Sequence, residues 1–254
     1  MRPLAPDPRI GPKRFRRPPD RLPGVYREGG RGLQAPEAGR KEEDLRENHA
    51  DADRVPMAGI GAAQLWPGFL DPGQQAALVS DVRAIAAAAP LFRPVTRRGQ
   101  EMSVRMTSAG SLGWVSDRRG YRYEPLHPSG VSWPPIPDAV HDIWRAVSGA
   151  ERQADCCLIN YYDGAARMGL HQDRDEADFR WPVVSVSLGD DALFRIGGTE
   201  RGGPTHSVWL RSGDVLVMGG PARLCYHGVD RIAAGTSMLL PNGGRINLTL
   251  RVVT

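Results

Sequence analysis

Four residues in the second half of the chain have the types and spacing of a metal site with an anion clamp: His171, Asp173, His227 and Arg245. Two imidazoles and one carboxylate form the facial triad of non-haem Fe(II), which leaves open coordination positions. The arginine follows the distal histidine by 18 residues (245 − 227 = 18), and a guanidinium is suited to hold a carboxylate. These residues predict an oxygenase that consumes 2-oxoglutarate.

The segments around these residues predict the elements that must position them. A His-x-Asp tripeptide alone is a weak signal, because most such tripeptides are turns, caps or surface pairs. However, residues 183–188, 208–210 and 215–218 have the pattern of short strands between glycines and acidic turn residues. Several short strands with no helical pattern among them favour a sandwich or barrel in the C-terminal half. A jelly roll could hold the His171–Asp173 pair and His227 at one mouth.

The last predicted strand has a polar face and an apolar face. Period-2 alternation separates Arg245, Asn247, Thr249 and Arg251 from Ile246, Leu248 and Leu250. One interpretation is an edge strand with a solvated face. The other is a buried face that binds a dicarboxylate, because two arginines on one face repel each other unless an anion or carboxylates lie between them. Asn160 and Tyr162, two apart on another predicted strand, either complete that donor set or reflect ordinary strand patterning.

The motifs together resemble the AlkB-type nucleic-acid dealkylases. The resemblance is carried by residues 157–164, 170–176, 182–189, 226–228 and 245–251, with 102–107, 112–114 and 120–123 similar to that family's nucleotide-recognition lid. It covers about residues 58 to 254. It implies a mainly β fold, a double-stranded β-helix (jelly roll) with flanking helices, and Fe(II) with 2-oxoglutarate as co-substrate. It also implies oxidative demethylation of N1-methyladenine and N3-methylcytosine in single-stranded DNA or RNA during alkylation repair.

The resemblance also implies a role for each matching residue. It assigns the metal and catalysis to His171, Asp173 and His227. It assigns 2-oxoglutarate to Arg245, with Arg251, Asn247, Asn160 and Tyr162 in support. It assigns the substrate to Trp114, Tyr121, Asp175, Arg201 and Thr96. For Asp175 and its neighbour Glu176, a second interpretation is that they cap the turn after the metal strand.

A basic stretch at about 94–135 is the predicted lid. Its six arginines outnumber its acidic residues and are interleaved with Trp114, Tyr121 and Tyr123. Such a pattern fits a surface that follows a phosphate backbone and stacks bases, and equally a solvated hairpin with aromatic side chains in the core. The resemblance favours the first interpretation, although residues 97–100 (Arg-Arg-Gly-Gln) depart from the family's usual Gly-Gly-Tyr tip.

The composition predicts a disordered basic extension at 1–56 and a dioxygenase domain at 57–254, with its jelly-roll core at about 154–254. Residues 1–50 hold 12 Lys and Arg against 8 Asp and Glu, which accounts for the net charge of +4. They also hold 14 Gly and Pro but only seven of Leu, Ile, Val and Phe, too little apolar surface to offset ordering entropy. The extension either holds nucleic acid loosely or is non-essential, in which case Met57 is a plausible start.

Other features of the sequence predict the flanking helices and the cellular compartment. Helices are predicted from Asp71 to about Ala89 and from Asp138 to Val147, both packed on the outer face of the main sheet. The chain has three cysteines, which favours a reducing cytoplasm over a disulfide framework. No apolar run is long enough for a bilayer, so we expect a cytoplasmic monomer without membrane contact. Two alternative functions are a same-fold oxygenase acting on protein or a small molecule, and a non-catalytic nucleic-acid-binding jelly roll.

Overall fold

The computed structural model describes residues 57–254. The predicted extension at 1–56 lies outside the described residues. The elements, in chain order, are β1 Met57–Ile60, β2 Ala63–Trp66, α1 Pro72–Ala88, β3 Arg105–Gly110, β4 Gly113–Asp117, β5 Gly120–Glu124, α2 Asp138–Val147, β6 Cys156–Tyr162, β7 Met168–His171, β8 Val183–Gly189, β9 Asp191–Ile196, β10 His206–Leu210, β11 Val215–Met218, β12 His227–Ala233 and β13 Arg245–Arg251.

Two antiparallel sheets face each other and form a jelly roll. The major sheet has the order β1-β2-β11-β8-β13-β6-β3, and the minor sheet has the order β10-β9-β12-β7. One apolar core, which includes Leu158, Phe194 and Leu216, lies between the sheets. The predicted fold class is therefore confirmed, and the strands predicted at 183–188, 208–210 and 215–218 are β8, β10 and β11.

The last strand, β13, lies in the middle of the major sheet rather than at its edge. It pairs with β8 on one side and with β6 on the other, so the interpretation as an edge strand with a solvated face is wrong. Ile246, Leu248 and Leu250 pack into a second core. The alternating polar residues, from Arg245 to Arg251, consequently point into the space between the two sheets.

The two helices form where the sequence predicts them. The Asp71 side chain caps α1 by accepting a hydrogen bond from the backbone N–H of Gln74. The side-chain oxygen of Gln74 in turn accepts a hydrogen bond from the backbone N–H of Asp71. The buried sides of both helices, including Leu78 and Trp144, share the second core with β13. The helices thus cover the outer face of the major sheet and leave its inner face to the site. No helix in the described part of the chain has the length and apolar character to cross a bilayer.

The predicted lid at 94–135 is not one unit. Its strand β3 pairs with β6 and completes the major sheet, because Met106 is buried in the inter-sheet core and the Thr107 hydroxyl donates to the carbonyl of Ala89. Only β4 and β5 form a separate two-stranded hairpin. We call this hairpin, Gly113–Glu124, the lid hairpin, and it carries Trp114 and Tyr121.

Candidate active site

The ladder between β7 and β12 brings the predicted metal ligands together. His171 and His227 are direct partners in this ladder, and Asp173 follows two residues after the first histidine. The strands approach closely because residue 228 is glycine: a Cβ there would lie 2.5 Å from the carbonyl oxygen of Met168. One candidate ligand atom from each of the three residues lies within 4.8 Å of the other two.

The hydrogen bonds of both histidines orient the ligand atoms. Nδ1 of His171 lies 2.9 Å from the carbonyl oxygen of Gly169, and Nδ1 of His227 lies 3.0 Å from that of Cys225. A carbonyl accepts, so each Nδ1 carries the proton and each Nε2 keeps a free lone pair. Both Nε2 atoms lie 3.7 Å from carboxylate oxygens of Asp173. Oδ2 of that carboxylate also lies 2.8 Å from Nη2 of Arg251. Two imidazole nitrogens with free lone pairs and one carboxylate fit a divalent metal.

The electrostatics of the triad set its protonation. Burial alone would raise the pKa of Asp173, but the positive charge of Arg251, followed by the imidazoles of His227 and His171, holds the pKa below its usual range. Burial, and then the neighbouring His171, lowers the pKa of His227 to about 4. At neutral pH the site therefore offers an ionised carboxylate and a neutral imidazole, the forms that bind a metal.

Arg245 is a buried cation without a carboxylate partner in the described part of the chain. Its side chain is 1% exposed and donates to the carbonyls of Asp190 and Leu210 and, at 2.6 Å, to the hydroxyl of Ser187. Its Nε has no acceptor, and burial lowers its pKa to about 10. A buried charge of this kind requires a counter-ion, and the distal carboxylate of 2-oxoglutarate can supply it.

Neighbouring strands add further polar groups around this arginine. Tyr162 lies directly opposite Arg245 in the β6–β13 ladder, and Asn160 lies opposite Asn247. The Asn247 amide donates to the hydroxyl of Ser185 at 2.7 Å, whereas Oδ1 of Asn160 has no partner within residues 57–254. The two serines of β8, Ser185 and Ser187, were not predicted as site residues, although their alternation with apolar residues places them on the same side as Arg245.

A single cavity of about 230 Å³ contains most of the predicted site. Its lining includes the three metal ligands and the five residues assigned to 2-oxoglutarate, together with Trp114, Tyr121 and Asp175. Thr96 and Arg201 do not line it. The Thr96 N–H donates to the carbonyl of Gln100 in a turn, and the Arg201 guanidinium lies 5.4 Å from the ring centre of Tyr226. Substrate contacts by these two residues remain predictions.

Aromatic rings and carboxylates surround the end of the cavity near the lid hairpin. The rings of Trp114 and Tyr121 are stacked, with centroids 5.5 Å apart. Trp114 Nε1 donates to the Asp175 carboxylate at 3.1 Å. The Tyr123 hydroxyl donates to Glu176 at 2.6 Å. Glu176 is a buried ion-pair partner, so the interpretation of this residue as a turn cap is wrong.

Two further residues that hold the site, Gln172 and Arg223, were not predicted from the sequence. The side-chain amide of Gln172 donates to the carbonyls of Leu224 and Thr199, at 2.6 and 3.2 Å, and so ties the proximal ligand segment to the loop before His227. Arg223 donates to the carbonyl of Asp173 from a loop without regular structure. No periodicity in the sequence marks either contact.

Known proteins resemble this chain in both sequence and structure. The family model described as the 2OG-Fe(II) oxygenase superfamily matches residues 62–251. The alpha-ketoglutarate-dependent dioxygenase AlkB homolog of Caulobacter vibrioides is 55% identical over 197 residues, covering 77% of this chain and 90% of that protein. AlkB of Escherichia coli is 44% identical over 179 residues, covering 68% and 82%. The solved structure of OsALKBH1 aligns with a TM-score of 0.64 and 30% identity, covering 77% of this chain and 98% of that one.

The matched residues include the whole triad and the arginines of β13. The chain belongs to the 2-oxoglutarate- and Fe(II)-dependent oxygenase superfamily and, within it, to the AlkB family. Fe(II) is its cofactor and 2-oxoglutarate its co-substrate, as the sequence analysis predicts.

The triad yields a first testable prediction. We expect Asp173→Ala to abolish both iron retention and turnover, because two neutral imidazoles form a weaker site than two imidazoles with a carboxylate. Iron per protein, measured by atomic emission after anaerobic loading, checks it together with succinate release. Asp178→Ala is the matched control, since that aspartate lies on the same segment but pairs with Arg180. Normal iron content in Asp173→Ala would show that this carboxylate is not a ligand.

A second prediction concerns the buried cation of β13. We expect Arg245→Lys to raise the 2-oxoglutarate concentration needed for turnover, because an ammonium cannot make the two parallel bonds of a guanidinium. Truncating a buried charge-assisted pair costs about 2–4 kcal/mol, roughly one and a half to three orders of magnitude in that concentration. Succinate release against 2-oxoglutarate concentration is the measurement. Arg231→Lys, an exposed change on β12, is the control, and equal requirements in the two variants would mean that another residue anchors the co-substrate.

Proposed function

We propose that this dioxygenase demethylates N1-methyladenine and N3-methylcytosine in single-stranded DNA or RNA, as part of DNA alkylation repair. The methyl group leaves as formaldehyde, while O2 and 2-oxoglutarate are converted to succinate and CO2. Relatives are named alpha-ketoglutarate-dependent dioxygenases of the AlkB type. A match of 30% identity over 125 residues is named nucleic acid dioxygenase ALKBH1, from Homo sapiens.

The observation that carries this proposal is the pairing of π-faces with carboxylates at the lid end of the cavity. Both proposed lesions are flat rings that carry a positive charge at neutral pH. The stacked pair of Trp114 and Tyr121 offers an aromatic face, and Asp175 offers a carboxylate beside it. Attraction of a cationic ring to such a face and to an anion favours the methylated base over the neutral one.

The roles of the residues follow from their positions in the cavity. Bound Fe(II) supplies the activation of dioxygen. His171, Asp173 and His227 hold the metal, and Arg245 orients the co-substrate from the far side. The base must leave the stack to reach this enclosed site, which favours single strands or damaged pairs. Enclosure also excludes water and keeps the methyl group in place.

Exposed arginines at the tip of the lid hairpin and on the neighbouring turn at 97–100 support a nucleic-acid substrate over a protein or a metabolite. Arg122 is neutralised by its bonds to Asp117. In contrast, Arg97, Arg98 and Arg118 are exposed and form no ion pair with the residues that the structure describes. Exposed guanidinium groups beside stacked aromatic rings suit phosphates flanking an inserted base. We therefore assign the predicted backbone contact to these arginines, with residues 97–100 in place of the family's usual Gly-Gly-Tyr turn.

The setting of the reaction is part of the proposal. We infer a monomer in the cytoplasm, since one chain supplies the whole site. Cys156, Cys157 and Cys225 are free and buried, as suits a reducing compartment.

The decisive experiment is reconstitution with Fe(II) and 2-oxoglutarate without oxygen, followed by oxygen and methylated single-stranded oligonucleotides of DNA or RNA. We expect loss of one methyl group by mass, with one succinate and one formaldehyde for each base restored. The unmethylated oligonucleotide is the control for uncoupled succinate release. Succinate without any change in oligonucleotide mass would contradict the proposed substrate and favour a protein or small-molecule oxygenase of the same fold. No succinate at all would favour the non-catalytic alternative.

The lid-end carboxylate provides a sharper test of base selection. We expect Trp114→Ala to lose roughly 1–3 kcal/mol of base stacking. We expect Asp175→Ala to lower the preference for charged lesions while uncoupled 2-oxoglutarate decay continues. The measurement is competition between a cationic and a neutral alkylated base in one oligonucleotide. If Asp175→Ala leaves the ratio of repair rates unchanged, the carboxylate only holds Trp114 Nε1 and does not select the base.

A further inference from the structure

All three guanidinium nitrogens of Arg223 donate to the segment that carries a metal ligand. It lies between β11 and β12, directly after a short 3₁₀ turn, and its side chain is 3% exposed. Nη1 donates to the carbonyl of Asp173 at 2.6 Å, and Nε donates to that of Trp181 at 2.8 Å. Nη2 donates to the Glu176 carboxylate at 3.1 Å. Arg223 is not among the residues that line the cavity.

Glu176 joins this arginine to the lid hairpin and to β13. Its side chain is 1% exposed. Oε2 accepts from Arg223, whereas Oε1 accepts from the Tyr123 hydroxyl at 2.6 Å and lies 3.1 Å from Nε of Arg251. Nη2 of Arg251 in turn lies 2.8 Å from the Asp173 carboxylate. One buried carboxylate thus connects β5, β13 and the loop before β12.

The segment after Asp173 needs such contacts because it has no ladder of its own. Residues 172–182 contain no helix or strand, so backbone hydrogen bonds of regular structure do not determine the direction of the Asp173 carboxylate. A planar guanidinium with fixed donors can hold two carbonyls and a carboxylate at once, whereas an ammonium on a flexible stem cannot keep that geometry. The conformation of the metal-binding carboxylate therefore depends on Arg223.

We propose that Arg223 is a positioning residue of this dioxygenase, holding Asp173 for the metal and, through Glu176 and Tyr123, coupling the metal site to the lid hairpin. Neither Arg223 nor Glu176 is assigned a contact with the metal or with 2-oxoglutarate. The inference rests on the 2-oxoglutarate- and Fe(II)-dependent chemistry of the family. It does not depend on which base is demethylated.

The test uses Co(II) as a redox-inert substitute for Fe(II) in the full-length protein. Its affinity and its visible absorption bands report the coordination geometry without turnover. Partners outside the ligand shell typically change metal affinity by about 10- to 100-fold when mutated, and we expect Arg223→Lys to weaken Co(II) binding within that range and to alter the bands. Trp144→Phe is the control for general destabilisation, because this buried tryptophan lies in the helix core and donates to the Arg152 carbonyl. Unchanged affinity and bands in folded Arg223→Lys would overturn the proposal.

A second set of variants tests the coupling to the lid and serves equally if Arg223→Lys does not fold. We expect Glu176→Gln, which preserves shape but removes the charge, to weaken Co(II) binding. Tyr123→Phe removes one hydroxyl, and we expect it to weaken binding a few-fold in the otherwise wild-type chain but not in the Glu176→Gln background. Equal effects in both backgrounds, or none in either, would contradict the coupling. None of these Co(II) measurements requires a nucleic-acid substrate. The proposed role of Arg223 can therefore be tested even if methylated oligonucleotides prove not to be substrates.

Discussion

The buried pairing of Arg251 with Asp173 and Glu176 is the interaction on which the rest of the site depends. Isolated charges at these positions would be costly to bury, and none of the three has an exposed side chain. The buried charges cancel, because two arginines, Arg251 and Arg223, face two carboxylates, Asp173 and Glu176. This arrangement keeps Asp173 ionised between two imidazoles. It also explains why the polar face of β13 can lie inside the jelly roll.

The alternation of β13 made much of the fold and site predictable. Arg245 and Asn247 share a face with Arg251, and their apolar neighbours pack under the helices, as a period of two requires. The positions of His171 and Asp173 were also predictable, because His171 ends strand β7 and Asp173 follows two residues later. These motifs were informative because, in a regular strand, the spacing between two residues determines whether their side chains lie on the same face.

Contacts between irregular segments could not be predicted in this way. Arg223 lies in a loop, and its partners 42 to 50 residues earlier are two carbonyls and one carboxylate. Backbone carbonyls carry no sequence signature. The membership of β3 in the major sheet was missed for a related reason, since its alternation is weak and its pairing with β6 is decided by tertiary packing. Pattern reasoning therefore placed the ligands but not the residues that hold them.

Charge is distributed unevenly along the cavity, and this distribution determines whether an anion or a cation is favoured at each end. At the inner end, Arg245 has no carboxylate partner within residues 57–254, so the anionic co-substrate is favoured there. At the lid end, Asp175 stands beside the stacked rings of Trp114 and Tyr121 and has no ion-pair partner among the residues that the structure describes, which favours a cation over an anion there. Arg251 lies beside the metal ligands, where its guanidinium pairs with Asp173 and Glu176. The metal ligands line the same cavity as Arg245 and Asp175. The cavity therefore presents the cation Arg245 at its inner end and the carboxylate of Asp175 at its lid end, with the ion-paired Arg251, Asp173 and Glu176 also in its lining.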